Sequence, residues 1–187
     1  MYRLVLYGLG LDSESLVACS QKLRQWISYR NSFARQVLPF GSGFATSAVR
    51  VYRDIAEVEG PKIVIVLYRH DGFNDLDGLR SFVLNLTNLC SQEDDTILCV
   101  CFPIPNQAMT AHDEQCNLQA FVLVDLEQQT QGELKVVDLF KQFPPLPPLK
   151  TDLSEETSFN PHRITEHGCE RIAMSLFLQL AQIVKKA

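Results

Sequence analysis

Short apolar runs alternate along this chain with longer amphipathic stretches, and no other feature of the sequence limits its fold as strongly. Strands that are buried on both faces read as unbroken apolar runs, whereas each covering helix buries only one stripe. The predicted strands cover residues 4–7, 35–40, 63–68, 96–102 and 134–139. The pattern therefore predicts an α/β protein in which helices cover both faces of a five-stranded parallel sheet.

Helical spacing of apolar residues marks the segments between these strands. The stripes lie within residues 16–27, 48–56, 79–90 and 169–184. Residues 120–126 are apolar almost without a break and fit either a strand or a buried helix. We predict a helix, because Gly132 would end it and a parallel crossover into the fifth strand needs one. The candidate N-terminal caps of the first three helices are Ser13 or Ser15, Thr46 or Ser47, and Asp75 or Asp77.

Length and charge narrow the range of functions. The 187 residues favour one domain, 1–187, and 17 basic against 22 acidic side chains give a formal net charge of −5. This balance makes nucleic acids and anionic membranes poor partners. No apolar run reaches the roughly 18 residues of a membrane span.

The positions of the cysteines indicate the redox state of the cellular compartment in which the protein occurs. Residues 16–19 resemble a lipoprotein cleavage box, but Asp12 and Glu14 lie in the segment that would have to be apolar. The six cysteines lie mostly within apolar runs, and none is in a CxxC pair. Disulfides stay open on the sequence, but this distribution favours buried thiols in a reducing compartment. We therefore predict a cytoplasmic protein.

Small and polar residues follow three of the strands and precede the last helix. Asp12 and Ser13 follow the first strand, residues 41–43 the second and residues 72–75 the third, while His162 lies just before the last helix. The carboxyl ends of parallel strands open on one edge of a sheet, so these segments can meet there. Serine, glycine, asparagine and histidine at one edge are suited to attack on an acyl group.

We call these four segments blocks one to four, in chain order. In that order they resemble the sequence blocks of the SGNH or GDSL hydrolases, a family with a flavodoxin-like three-layer α/β/α sandwich. The resemblance runs along the whole chain, including residues 136–140, which are similar to the family's fifth strand. It implies a serine esterase or acyl hydrolase that acts on an ester or acetyl group of a small molecule. In the implied site Ser13 is the nucleophile and His162 is the general base. The implied oxyanion donors are the Gly43 N–H and the Asn74 side chain.

The first and third blocks contain extra residues relative to the family. An alignment without a gap puts the family's Gly-Asp-Ser on residues 8–10, so the use of Ser13 requires a loop longer by three residues. Residues 69–71 intervene in the same way before the third block. A purely structural interpretation stays open for both blocks, as helix caps formed by Asp12, Ser13 or Ser15 and by Asp75 or Asp77.

The fourth block supplies the general base, without which a serine hydroxyl is a poor nucleophile. The family's histidine lies five residues before a glycine, and counting back from Gly168 gives Arg163, one residue from His162. Asn160 stands at the position of the family's aspartate and brings no charge to stabilise an imidazolium. Carboxylates that can substitute for it nearby are Asp152, Glu155 and Glu156.

Two other functions stay open on the sequence. A domain of this fold without catalysis would serve as a binding or docking module for a protein partner. A small-molecule-binding protein would use only the crevice at the strand ends, lined by Phe44, Phe73 and the proline-rich residues 144–148. The sequence has neither a glycine-rich phosphate loop nor a zinc-type spacing of histidine or cysteine, so we predict no cofactor and no metal.

Overall fold

The computed structural model of the protein describes residues 1–29, 33–43, 47–104, 114–139 and 164–186. Within these segments, five parallel strands form one sheet in the order β2-β1-β3-β4-β5. The strands are β1 (Tyr2–Leu9), β2 (Ala34–Ser42), β3 (Lys62–Tyr68), β4 (Thr96–Cys101) and β5 (Leu134–Val137). The predicted five-stranded parallel sheet is confirmed.

Helices follow the strands in the same described segments. They are α1 (Ser13–Tyr29), α2 (Ala48–Ala56), α3 (Leu76–Cys90), α4 (Glu114–Gln129) and α5 (Glu166–Lys186). None of these helices is both long and apolar enough to cross a membrane.

The two faces of the sheet pack against different helices. Ile63 and Ile65 of β3 face a core formed with α1 and α5, whereas Val64 and Val66 face a core formed with α2, α3 and α4. Every residue of β3 is buried, as expected for a central strand covered on both sides. The predicted three-layer α/β/α sandwich is therefore confirmed.

The first two strands extend beyond their apolar runs. β1 ends at Leu9, two residues later than predicted, because Leu9 pairs with both Tyr68 of β3 and Ser42 of β2. Residues 10–12 alone therefore connect β1 to α1. At the far edge of the sheet β5 is shorter than predicted and ends at Val137.

Two helices begin at caps that the sequence named. Ser47 caps α2 by accepting the backbone N–H of Arg50 on its hydroxyl. Asp75 caps α3 by accepting the backbone N–H of Gly78 at 2.6 Å, so Asp77 does not have this role. These bonds satisfy backbone donors that have no partner within the helix.

The ambiguous segment 120–126 is helical, because it forms the middle of α4. Leu123 and Leu126 of this segment are buried against the sheet. After the helix, Gln131 and Gly132 both adopt positive φ, and this left-handed turn leads into β5. The choice of a helix is confirmed.

All six cysteines are free and buried. Cys99 and Cys101 are separated by one residue of β4, so both face the core on the side of α1 and α5. Burial raises the pKa of the Cys99 thiol to about 12. Among the described residues, no group of three or more histidine, cysteine, aspartate or glutamate side chains is arranged to hold a metal ion.

Candidate active site

An open cleft of about 600 Å³ lies at the carboxyl edge of the sheet, between the start of α1 and the end of β2. Glycines and apolar side chains form most of its lining. The lining residues are Gly10, Leu11, Asp12, Ser13, Leu16, Val17, Pro39, Gly41, Ser42 and Gly43. The first two sequence blocks therefore meet in one cleft.

A backbone hydrogen bond fastens the two sides of the cleft to each other. Gly10 donates its N–H to the carbonyl oxygen of Ser42 over 2.8 Å, and its φ of 66° is one that glycine adopts without strain. Leu16 packs directly on the strand ends: a Cβ at Gly8 would lie 3.1 Å from Leu16 Cδ1, and one at Gly41 would lie 3.3 Å from Leu16 Cδ2. These glycines allow α1 to begin close against the sheet.

Ser13 is the first residue of α1 and is exposed in the cleft. The helix is capped by the preceding residue, because Asp12 Oδ1 accepts the backbone N–H of Ser15 at 2.8 Å. Of the three candidate caps Asp12, Ser13 and Ser15, the structure therefore selects Asp12, and the preference for Ser13 or Ser15 is wrong. Within the described segments the Ser13 hydroxyl makes no hydrogen bond. It lies at a helix N-terminus, where the helix dipole stabilises negative charge.

Gly43 lies on the opposite wall of the cleft, directly after β2. A Cβ built at Gly43 would have no heavy atom within 4 Å, and the residue is not among the glycines with positive φ. Neither crowding nor backbone strain therefore requires glycine here. The absence of a side chain leaves the backbone open to close approach from the cleft.

Asn74 is not brought into this cleft. It follows β3, the neighbour of β1, after a 3-10 turn over His70–Gly72, and it immediately precedes the cap of α3. Its side chain is exposed, and Asn74 is absent from the lining of the cleft. It shares the carboxyl edge of the sheet with Ser13 without lining the same cavity.

His162 lies outside the described residues. The same holds for Phe44, residues 144–148, Asp152, Glu155, Glu156, Asn160 and Arg163. Ile164, the next residue that the structure describes, is buried and donates its backbone N–H to Ser15 Oγ over 2.7 Å. Thr165 then accepts the N–H of Gly168 at 3.1 Å at the start of α5, which packs against α1.

Ser15, which the sequence marks only as a candidate helix cap, also contacts a distant segment of the chain, at Ile164. Its hydroxyl donates to Asp12 Oδ2 at 2.6 Å while accepting from Ile164, and the Ser15 side chain is buried. The local signal was the three-residue spacing from Asp12, which is typical of capping and says nothing about Ile164.

A second polar network lies directly behind the cleft and was also missed. Tyr7 is fully buried, and its hydroxyl donates to Asp54 Oδ2 at 2.7 Å. The side chain of Ser42, on the cleft wall, hydrogen-bonds to the same phenol. Burial is the largest cause that raises the pKa of Tyr7, so the phenol is neutral at pH 7. The network connects the cleft wall to α2.

The chain is similar to known proteins in structure and not in sequence. No protein-family model matches the chain, and no curated protein matches its sequence. A lipolytic protein of the G-D-S-L family from Desulfitobacterium hafniense is similar in structure, with a TM-score of 0.61, 14% identity and coverage of 98% of this chain and 99% of that chain. The lipase/acylhydrolase from Enterococcus faecalis gives a TM-score of 0.61, 16% identity and coverage of 97% and 96%.

An acetylxylan esterase from Geobacillus stearothermophilus has the same overall architecture, with a TM-score of 0.57, 12% identity and coverage of 96% of this chain and 94% of that chain. Each of these likenesses spans nearly the whole of both chains, at identities that establish the fold alone. The protein therefore has the three-layer fold of the SGNH or GDSL hydrolases, as the sequence resemblance implied.

Proposed function

We propose that the protein is a serine hydrolase of the SGNH type that cleaves an ester or acetyl group from a small molecule. Ser13 is the nucleophile, and His162 is the general base. The Gly43 N–H and the Asn74 side chain are the oxyanion donors. The observation that carries the proposal is the exposed Ser13, which lies in a cleft at the carboxyl edge of the sheet in a chain with the SGNH or GDSL fold.

The capping arrangement supports a chemical role for Ser13. A serine that caps a helix uses its oxygen to accept a backbone N–H, which competes with nucleophilic attack. Here Asp12 performs the capping, and the helix N-terminus stabilises the negative charge that develops on a reacting serine oxygen.

The assignment of His162 is supported by chain connectivity. His162 precedes Ile164 by two residues in the sequence, and Ile164 is bonded to Ser15 Oγ over 2.7 Å. Two residues of extended chain span at most about 7 Å. A histidine side chain on that length of chain can reach the first turn of α1, which carries Ser13.

The proposed reaction follows from these roles. Ser13 Oγ attacks the acyl carbonyl carbon as its proton moves to His162, and the carbonyl oxygen becomes an oxyanion that Gly43 and Asn74 stabilise. The carbon–oxygen bond to the alcohol then breaks, and His162 returns the proton to the leaving alcohol. In the second half of the reaction, water attacks the acyl carbon as His162 takes its proton. The bond to Ser13 Oγ then breaks, and His162 returns the proton to Ser13. Asn74 has to approach the cleft when substrate binds, because its side chain is outside the lining.

A fluorophosphonate probe tests the proposal directly, because a reactive serine displaces the fluoride and forms a stable Oγ–P bond. We expect rapid labelling of the wild type at Ser13 and none in Ser13→Ala or His162→Ala. Ser81→Ala serves as the matched control, since Ser81 is an exposed serine on α3 outside the cleft. Labelling that persists in Ser13→Ala and disappears in Ser42→Ala would assign the nucleophile to the other wall and contradict the proposal.

A catalytically inactive binding module of the same fold is the second candidate. The position of Asn74 outside the cleft favours it, because an oxyanion donor is expected to point at the reacting atom. This alternative predicts that the wild type resists the probe while a small ester or its product still protects the cleft residues from hydrogen exchange.

A further inference from the structure

We infer that Ser15 is a positioning residue that anchors the segment carrying His162 to the first turn of α1. The inference rests on the proposed function for its catalytic consequence, but the anchor itself is a property of the fold. Its basis is the side-chain contact between Ser15 and Ile164, residues that are 149 positions apart in the chain.

Ser15 uses each of its polar groups. Its backbone N–H donates to Asp12 Oδ1 at 2.8 Å, and its hydroxyl donates to Asp12 Oδ2 at 2.6 Å. Its Oγ accepts the N–H of Ile164 at 2.7 Å, and its carbonyl oxygen accepts from Cys169 Sγ at 3.6 Å. One residue thus joins the cap of α1, the segment before α5 and α5 itself.

The carboxylate of Asp12 strengthens this anchor. A hydroxyl that donates to an ionised group becomes a better acceptor, because hydrogen bonds in a chain polarise one another. The Ser15 hydroxyl donates to Asp12 and accepts from Ile164, so the charge of Asp12 acts on the Ile164 contact through Ser15. Both carboxylate oxygens of Asp12 are bonded to Ser15, which fits a structural role for this aspartate.

The contact is buried, so water does not replace it at low cost. Ser15 is 2% exposed and Ile164 is 5% exposed. Without the serine oxygen, the Ile164 N–H would be left in the core without an acceptor. Ile164 would then lose its attachment to α1, and with it the chain would lose the described contact with α1 that lies nearest in sequence to His162.

Ser15 is not itself the nucleophile. Its oxygen is buried, its proton is held by Asp12 and its acceptor capacity is used by Ile164. Ser13, two residues earlier, is exposed. The two serines of the first block therefore have different roles: Ser13 faces the cleft, and Ser15 binds the backbone of Ile164.

The test compares Ser15→Ala with Ser15→Thr, which keeps a hydroxyl. Two measurements are made on each variant: hydrogen exchange of the Ile164 amide, and the rate of Ser13 labelling by a fluorophosphonate across pH. We expect Ser15→Ala to exchange the Ile164 amide about tenfold faster or more, since the lost bond is buried. The labelling rate should fall by at least about tenfold, while Ser15→Thr restores both quantities.

Ser175→Ala is the matched control. Ser175 is a fully buried serine of α5 whose hydroxyl donates to the carbonyl oxygen of Asp138 and accepts from Gln179, so its removal costs buried hydrogen bonds that have no partner on α1. The single tryptophan, Trp26, stacks on Phe177 of α5, and its emission reports whether the two helices remain packed. If Ser15→Ala does not fold, Ser15→Cys takes its place, because a thiol of similar shape is only a weak hydrogen-bond acceptor for the Ile164 N–H.

The outcomes are distinguishable. Unchanged exchange at Ile164 in a folded Ser15→Ala or Ser15→Cys variant would overturn the anchor, whatever the labelling shows. Faster exchange with an undiminished labelling rate would overturn the positioning role. A wild type that is not labelled at all would overturn the proposed function, and the exchange measurement would still decide whether Ser15 holds Ile164.

Discussion

Gly10 donates its backbone N–H to the carbonyl oxygen of Ser42 over 2.8 Å, and this bond joins the turn after β1 to the end of β2. The two residues belong to opposite walls of the cleft, next to the positions of Ser13 and Gly43. A backbone hydrogen bond between adjacent strand ends therefore holds the two walls of the cleft together.

Substitution of Gly10 should destabilise the protein. The φ of 66° places Gly10 in the left-handed region, where alanine costs about 1 kcal/mol or more, equivalent to a fall in Tm of roughly 2–4 °C for a chain of this size. Thermal unfolding of Gly10→Ala measures this effect. Gly43→Ala is the control for stability, because a Cβ there meets no neighbour within 4 Å. An unchanged Tm in Gly10→Ala would contradict the assigned backbone conformation.

Removal of the Tyr7 hydroxyl should affect both stability and the cleft. Tyr7→Phe leaves Asp54 without its buried donor and releases the side chain of Ser42, at a cost of about 1–3 kcal/mol. We expect slower fluorophosphonate labelling in addition to the lower stability. In the matched variant Tyr52→Phe, the lost hydroxyl donates to Glu93 at 2.9 Å, outside the lining of the cleft, and only stability should change. Equal labelling rates in the two variants would refute the effect of Tyr7 on the cleft.

Glu93 should make stability depend on acid pH. Its pKa is lowered from 4.5, chiefly by Lys62, whose ammonium group lies 2.8 Å from Oε2, and also by hydrogen bonds from Tyr52 and Thr96. Because the folded pKa is below the unfolded one, the stabilisation is complete above about pH 4.5 and is lost as the pH falls through the lowered folded value.

Urea unfolding of Glu93→Gln across pH tests this dependence. We expect the variant to be less stable than the wild type by about 2 kcal/mol at pH 7, because Lys62 is buried and loses its charged partner. The difference should shrink below about pH 4.5. The exposed Glu133→Gln is the control. A difference that grows towards low pH would have the wrong sign for this interaction.

The thiols should be unreactive in the native state. All six cysteines are buried, and the pKa of Cys19 is raised well above 9.0 by its hydrogen bond with Cys169 and by burial. A thiol reagent at pH 8 should therefore modify none of them within minutes, and all six after denaturation. Fast modification of any cysteine in the folded protein would show a core less closed than this one.

The layers of the fold were predictable because burial on both faces leaves a direct mark on each strand. The ends of the strands were less predictable. Gly8 interrupts the apolar run of β1, although its backbone pairs within the sheet. The side-chain pattern therefore ends before the strand does. The cap of α1 was also ambiguous, since Asp12, Ser13 and Ser15 are all good capping residues and only the geometry selects Asp12.

The geometry of the candidate site was predictable only where it depends on sheet topology. Ser13 and Gly43 follow adjacent parallel strands, and adjacency at the carboxyl edge brings them into one cleft. The placement of Asn74 depends on the 3-10 turn over His70–Gly72, a local path that strand order does not determine. The bond between Ser15 and Ile164 joins residues with no shared local pattern, so no window of sequence could have revealed it.

The large sequence separation of Ser15 and Ile164 also determines when, during folding, this bond can form. A contact across 149 positions forms only after the intervening chain has lost most of its freedom, and such closures are slow relative to the formation of single helices. During synthesis the serine-bearing turn leaves the ribosome first, and its anchoring partner follows only after β5. Nascent chains therefore expose Ser13 before Ser15 has bound Ile164, and this edge of the sheet is completed late, with the docking of α5.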